Sequence, residues 1–364
     1  MKPNLILGLG FFLASCWATS LWSQPLRGPG DGPHPTLDMT ITPILQSLPI
    51  YCGVRDFILW EHSHQLIYRD DHNSLNAMDL DNGSVRAYSS MTQPISRVVD
   101  PNERVLLATG IGRFFDAFHR YWQWIMKKQA TPMHHLFWHG NTLYSIGQDK
   151  SVSGAEFQIY QYEPGDSLAK SKCSPFSVTT GGSVDTELKV AEGSTYPDVY
   201  IHKTQKVEIQ GSESYTLWVR HYDLEKCELS PWYIYRNELP GLVKRVFWFD
   251  SLRSVAMSID HPSLNLLWQT PEGIKYFDLG TSQTPMLPNP KQPVLATQDN
   301  QKGMHLIFLA RATRLWFKTS VGFSGLTEQN IWLTDDGTKL YVAPYFGSRP
   351  YRTLISMDLP QLQD

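Results

Sequence analysis

Residues 53–89 read GVRDFILWEHSHQLIYRDDHNSLNAMDLDNGSVRAYS, and four short strands fit inside them. Phe57-Ile58-Leu59-Trp60 is the first predicted strand and Gln65-Leu66-Ile67-Tyr68 the second, with Asp70-Asp71-His72-Asn73 as the turn that follows. Residues 75–80 alternate in polarity, as a half-buried strand does. Asp81-Asn82-Gly83 is a strong tight-turn signal, because Asn and Gly accept the positive φ such turns need. Residues 84–88 supply a fourth strand. Four antiparallel strands in fewer than about 40 residues make a unit the size of one blade of a β-propeller.

The third strand of this unit ends on Met78-Asp79-Leu80: an apolar or aromatic residue, an acid, then Leu or Pro. The triplet returns at Tyr162-Glu163-Pro164, Tyr222-Asp223-Leu224, Phe277-Asp278-Leu279 and Met357-Asp358-Leu359. Successive acids stand 84, 60, 55 and 80 residues apart. Each wide gap is about two repeats long, so a degenerate copy is expected near Phe115-Asp116 and another near Leu315-Trp316-Phe317. Filling both places gives seven repeats of about 46 residues, within the propeller range. Six and eight stay open, because the second, fifth and sixth repeats are ambiguous. The expected fold is therefore all-β, a single β-propeller of about seven four-stranded blades over residues 40–364, with residues 40–49 supplying the strand that closes the ring. A pair of β-sandwiches would show a linker in mid-chain, and a β-helix a shorter and stricter repeat.

Residues 332–342 (WLTDDGTKLYV) set an Asp-Asp-Gly turn between two strands and resemble blades of several propeller families. Residues 77–83 (AMDLDNG) resemble the pyrroloquinoline-quinone-type repeat. The resemblance implies a fold; it implies no particular ligand.

The bulk composition excludes some function classes. Charged residues make up 18% of the 364, hydrophobic residues 41% and aromatics 12%, a balance that disordered chains do not have. Net charge is −3 and no run of Lys and Arg forms the basic stripe a nucleic-acid binder uses, so no nucleic-acid partner is expected. At the N-terminus, Lys2 precedes the apolar run LILGLGFFLA at residues 5–14. That run is too short for the roughly 20 residues of a membrane-spanning helix and right for a signal peptide. Residues 1–23 are read as that peptide. Two cleavage routes stay open: Leu13-Ala14-Ser15-Cys16 resembles a lipobox ending at Cys16, which would be lipidated, while Ala18-Thr19-Ser20 fits ordinary signal peptidase. Residues 24–39, dense in Gly and Pro, read as a spacer. The expected location is periplasmic, outer-membrane-tethered or secreted, with membrane contact only through a lipid anchor.

Either route leaves Cys52, Cys173 and Cys227, an odd count for an oxidising compartment. Cys173 and Cys227 follow the third strands of successive repeats, which suggests a disulfide. Against it, equivalent outer positions of neighbouring blades can stand farther apart than the roughly 4.4–6.8 Å a bridge spans between Cα atoms. Two separate thiols are therefore expected.

In a propeller, the turns between second and third strands share a face with the blade-to-blade connections, where ligands gather. Those turns nominate Asp70, Asp71 and His72 in the first repeat, residues 110–113 in the second, Asp149 and Lys150 in the third, and Arg349 in the seventh. Turn formation alone also accounts for these residue types. His62 and His64 would share a face if they lay on a strand, and a metal would then need further ligands. Calcium is the cation the acidic turn suggests, though no spaced Asp/Asn loop is present. The densest aromatic segment, residues 114–128, departs from the repeat and nominates Tyr121, Trp122 and Trp124 as a partner surface; packing between blades is the competing use of such residues. Trp232-Tyr233 is another aromatic pair. Asn82-Gly83-Ser84 matches a glycosylation sequon, which the tight turn explains without sugar.

No nucleophile elbow or dinucleotide fingerprint occurs. The favoured function is a non-enzymatic scaffold of the cell envelope or exterior that binds a protein or glycan through one propeller face. The alternative is a propeller hydrolase or lyase, lactonase-like, with a metal in the central channel.

Overall fold

The computed structural model describes residues 37–41, 46–48, 50, 53–90, 106–108, 113–116, 121–124, 133–139, 142–149, 156–162, 170–174, 176–177, 189–190, 198–209, 212–249, 254–260, 264–270, 273–278, 285–289, 292–298, 303–317, 325–343, 345–346, 349–350 and 354–361. Every regular element among them is a strand.

The strands form seven successive sheets and one small hairpin. The first sheet is the opening stretch of the sequence analysis, with strands Val54–Trp60, Gln65–Asp70, Ser74–Asp79 and Val85–Ser90 in simple antiparallel order. The second has three strands: Leu106–Ala108, Arg113–Asp116 and Tyr121–Trp124. The third runs Met133–His139, Thr142–Asp149, Glu156–Tyr162, then an outer position split between Lys170–Ser171 and Phe176–Ser177. The fourth runs Lys189–Val190, Asp198–Ile209, Ser212–Asp223, with Glu228–Leu229 and Tyr233–Leu239 sharing the outer position. The fifth is Leu242–Phe249, Ser254–Asp260, Leu264–Thr270 and Gly273–Asp278.

The last two sheets borrow strands from the beginning of the chain. The sixth consists of Val294–Gln298, Met304–Phe308 and Thr313–Phe317, with a single bridge from Met286 to Ala296 on its inner side. Leu37–Ile41 lies along Thr313–Phe317 in parallel. Parallel neighbours cannot be joined by a tight hairpin, and a strand arriving from the far end of the chain needs none. The seventh sheet is Ile331–Leu333, Lys339–Val342 and Ile355–Asp358, and its outer strand is Gln46–Ser47. The boundary expected at residue 40 falls within Leu37–Ile41, which already belongs to the sixth sheet.

The buried core lies between sheets. One cluster joins Leu217, Val219 and Leu239 of the fourth sheet to Val243, Val246 and Met257 of the fifth. A second joins Phe247, Trp268 and Phe277 of the fifth to Leu295 and Ile307 of the sixth. A third joins Met304, Leu315 and Phe317 of the sixth to Ile331, Leu340 and Met357 of the seventh. The last packs Trp332 and Tyr341 of the seventh sheet against Phe57, Ile67 and Leu75 of the first. A sheet packed on both of its faces needs both faces apolar, which is why Ile58, Leu59, Leu66, Ile67 and Tyr68 form nearly continuous hydrophobic runs. Across the closing seam, the Glu61 carboxylate accepts from the Asp335 amide at 2.9 Å and from Trp332 Nε1 at 3.1 Å.

The acidic triplet has a physical basis. Asp79 Oδ1 accepts the amides of Asp81 (2.9 Å) and Asn82 (3.2 Å), and Asp223 Oδ1 those of Glu225 (2.9 Å) and Lys226 (3.0 Å). In both, the acid staples the turn to the outer strand. The following leucine turns inward: the Leu80 amide donates to the His64 carbonyl at 2.8 Å and the Leu359 amide to the Thr338 carbonyl at 2.7 Å. Asp358 precedes no such turn, because its outer neighbour is Gln46–Ser47; it faces Lys339 instead at 3.5 Å. The copy in the fifth sheet is not equivalent, since Asp278 ends the fourth strand rather than the third.

Candidate functional site

The turn between the second and third strands of the first sheet carries three of the residues nominated from sequence. Asp70 is buried and fully engaged: Oδ1 accepts the amides of His72 (2.9 Å) and Ser74 (2.7 Å), and Oδ2 accepts from Asn76 Nδ2 (3.1 Å). Asn73 closes the turn with φ 63°, the left-handed conformation Asn tolerates. Beneath it, Arg69 and Asp56 form a forked ion pair, with Nε–Oδ distances of 3.0 and 3.2 Å and a second contact through Nη2. Arg69 Nη1 also reaches Asn73 Oδ1 at 3.4 Å, and Arg55 donates to the Asp71 carbonyl at 3.2 Å. His72 reaches outward, its Nδ1 3.0 Å from Oδ1 of Asp71, an atom that is itself buried.

The ligand atoms of Asp70, Asp71 and His72 lie within 4.8 Å of one another, close enough to share a cation. The donor set does not suit calcium, which takes six to eight oxygens. Asp70 is committed to the turn, and a carboxylate with an imidazole is a borderline transition-metal pair. The arrangement chiefly builds the turn.

The histidine pair turns out differently from its sequence expectation. His62 and His64 lie in the turn between the first two strands, not on a strand, and His64 takes φ 47°. His64 Nδ1 is 3.2 Å from Asp81 Oδ1, which ties one turn of the first sheet to the next.

Asp149 ends the second strand of the third sheet, and Arg349 begins one strand of the hairpin Tyr345–Phe346/Arg349–Pro350, inserted between strands of the seventh. Tyr121, Trp122 and Trp124 lie on the third strand of the second sheet. The side chains of all five, together with Lys150 and Cys16, lie outside the described residues. Cys173 and Cys227 are joined in a disulfide, with Cα atoms 5.6 Å apart. The separated alternative fails because Cys227 sits in a turn of the fourth sheet that leans onto the outer position of the third.

Two features escaped the sequence reading. Arg245 of the fifth sheet donates to the Pro285 carbonyl (3.0 Å) and pairs with Glu328 (2.7 Å), whose carboxylate also accepts from the Leu287 amide (3.4 Å). One ion pair thereby ties three successive sheets. The other is a basic aromatic face on the fourth sheet. The Lys203 ammonium lies 5.7 Å from the centroid of Trp218 and 4.7 Å from that of Trp232. The Arg220 guanidinium lies 5.2 Å from Trp232. Burial, and next the charge of Arg220, push the Lys203 pKa down; burial does the same to Arg220. The alternation Ile201-His202-Lys203 against Trp218-Val219-Arg220 was the signal available.

No protein-family model and no curated protein matches the chain. Its backbone is similar to an oligogalacturonate lyase in complex with manganese, at a TM-score of 0.57 and 9% identity over 88% of this chain and 97% of that one. It is similar as well to the oligogalacturonate lyase of Vibrio parahaemolyticus, at 0.58 and 10% over 88% and 98%. At these identities the likeness is one of fold. This chain is a β-propeller. Its seven sheets are the blades, and the borrowed strands Leu37–Ile41 and Gln46–Ser47 are the outer strands of blades six and seven.

Proposed function

We propose that this propeller is an exported, non-enzymatic scaffold that binds a protein or glycan partner through one face of its ring. The observation that carries the reading is where its apolar side chains meet solvent. Among the described residues four large hydrophobic side chains are exposed, and two of them, Tyr233 and Ile234, are adjacent at the start of the outer strand of blade four, next to Trp232. Apolar groups gathered in solvent beside cations and indoles have the composition of an interface. The acidic turn of blade one, by contrast, spends its carboxylate on its own backbone.

Export is supported by the apolar run at residues 5–14 and by the Cys173–Cys227 disulfide, since such bonds persist in oxidising compartments. Mass determination of the mature N-terminus tests this and separates the routes. Diacylglycerol on Cys16 marks a lipoprotein, a free terminus after Ser20 marks ordinary secretion, and an intact Met1 sinks export.

The scaffold reading is tested by placing a photoreactive phenylalanine at Tyr233 in the full chain, expressed in its own host. A discrete protein or glycan adduct is expected, and its absence overturns the reading. The alternative is a lyase with a bound metal. It draws on the Asp70–Asp71–His72 group and on the likeness to oligogalacturonate lyases, one of them holding manganese. Formation of unsaturated product from oligogalacturonate by the purified chain, dependent on added manganese, would establish it in place of the scaffold.

A further inference from the structure

The basic aromatic face of blade four is laid out by strand register. Lys203 stands opposite Trp218, and Ile201 opposite Arg220. Ile234 of the outer strand stands opposite Trp218 on the other side. Directly opposed residues share a face, so Lys203, Trp218 and Ile234 form one row across three strands, with Arg220 one step along. Trp232, just ahead of the outer strand, covers both cations. The opposite face, carrying Leu217 and Val219, is committed to the core shared with blade five, and on the row's own face Ile201, Thr216 and Tyr222 are buried as well, so the row meets solvent at its outer end. Ile234 at the end of the row is 52% exposed.

Charge is what sets this face apart. Elsewhere on the same blade cations are matched: Lys206 with Glu213, and Lys226 with Asp223 at 2.9 Å. Among the described residues the Lys203 ammonium lies over the two indoles, and Arg220 lies over Trp232 and donates from Nε to the Ser230 carbonyl at 2.9 Å. Among the described residues no carboxylate pairs with either. Two half-buried positive charges held side by side repel each other, and the indole faces offset only part of that cost. An arriving anion removes the repulsion.

We infer that this face docks an acidic segment of a partner protein, with a carboxylate against Lys203 and Arg220 and an apolar side chain against Ile234. The inference rests on the scaffold reading and deepens it by naming the partner's chemistry. An acidic saccharide fits less well: cations already lie over both indoles, where a sugar would stack, and Ile234 offers it nothing polar. A peptide alternating acidic and apolar side chains satisfies both halves of the row.

The test uses the mature full chain and a fluorescent peptide alternating Glu and Leu, with a Gln-and-Leu peptide as control. The acidic peptide is expected to bind, to weaken with added salt, and to lose at least tenfold in affinity in the double variant Lys203→Gln/Arg220→Gln. The charge-preserving swap Lys203→Arg/Arg220→Lys should stay within about threefold of wild type, which a merely structural role for these side chains would not predict. Equal affinity for the two peptides, equal affinity of the double variant, or no binding overturns the inference. Oligogalacturonate binding tighter than the acidic peptide at these same residues overturns it in favour of a glycan. The photoadduct at Tyr233 separates the two levels. An adduct formed equally by wild type and double variant removes the acidic partner and leaves the scaffold standing; no adduct in either removes both.

Discussion

Blades one and four both gather charged groups on a strand-and-turn frame, and they use them in opposite ways. In blade one every buried charge is answered from within. Asp56 and Arg69 neutralise each other, with side chains 2% and 8% exposed, and Asp70 is consumed by two amides and an Asn. In blade four, Lys203 and Arg220 lie against indoles with no answering carboxylate among the described residues. Internally satisfied charge holds a shape, and its removal should cost stability. Unanswered charge contributes less to holding a shape, and its removal should cost binding instead.

The largest effect belongs to the buried pair. Asp56→Ala leaves Arg69 buried without a counter-charge and should lower the unfolding free energy by about 3–5 kcal/mol, read from urea midpoints. The double variant Asp56→Leu/Arg69→Met removes both charges together and should recover most of that loss. If the single and double variants unfold alike, the pair is not the reason blade one holds. Next comes the bridge between blades three and four. It closes a span of 54 residues, and Cys173→Ser with Cys227→Ser should cost about 2–4 kcal/mol. A reductant should lower the midpoint of wild type and leave that of the double variant unmoved.

A smaller loss is expected at the turn acids. Asp70→Ala strands two amides and the Asn76 side chain and should cost about 2 kcal/mol. Asp79→Ala, at an exposed turn, should cost about 1 kcal/mol. Reversal of that order would mean that the nominated ligand turn is less structural than the repeat turn. Acid offers a related check. Hydrogen bonds from the Thr334 hydroxyl and the Thr338 amide hold Asp336 below the usual carboxylate range, and hydrogen bonding to Lys226 does the same for Asp223. A carboxylate depressed in the folded state contributes stability above its unfolded pKa, and that contribution is lost as pH falls through the folded value. Melting followed downward from pH 4 should therefore show a loss that Asp336→Asn partly abolishes.

Much of the fold was legible because the repeat is written in turn chemistry. Asp79 and Asp223 recur at one register since each staples the same turn, and the Leu after them recurs because its amide or side chain anchors inward. Asp278 is the exception: the same acid ends a fourth strand rather than a third, and spacing alone could not tell the copies apart. The borrowed strand Leu37–Ile41 was invisible for another reason. Its parallel pairing with Thr313–Phe317 joins opposite ends of the chain and leaves no local turn to read. The candidate site was less legible still. Asp70, Asp71 and His72 could be placed at a turn, but only the folded chain shows that both Asp70 oxygens already accept hydrogen bonds within it. For Lys203 and Arg220 the deciding property is the missing counter-charge, and no single sequence carries that.

The smallest stability effect should fall on those two cations, and its sign is informative. Lys203→Gln/Arg220→Gln removes two like charges from half-buried positions, so unfolding at neutral pH should move by no more than about 0.5 kcal/mol. The Lys203 pKa is depressed in the folded protein, chiefly by burial and next by Arg220. Between the depressed folded value and the ordinary 10.5 the unfolded chain binds more protons, so stability contributed by this group rises with pH across that window. Wild type should therefore gain stability toward pH 10 relative to Lys203→Gln, a slope opposite to that expected of a lysine held in an ion pair. Saturation with the acidic peptide should abolish the difference, because a carboxylate beside Lys203 raises its pKa again. If the slope has the sign of a paired lysine in the free protein, a counter-charge is already present. Blade four would then be built like blade one.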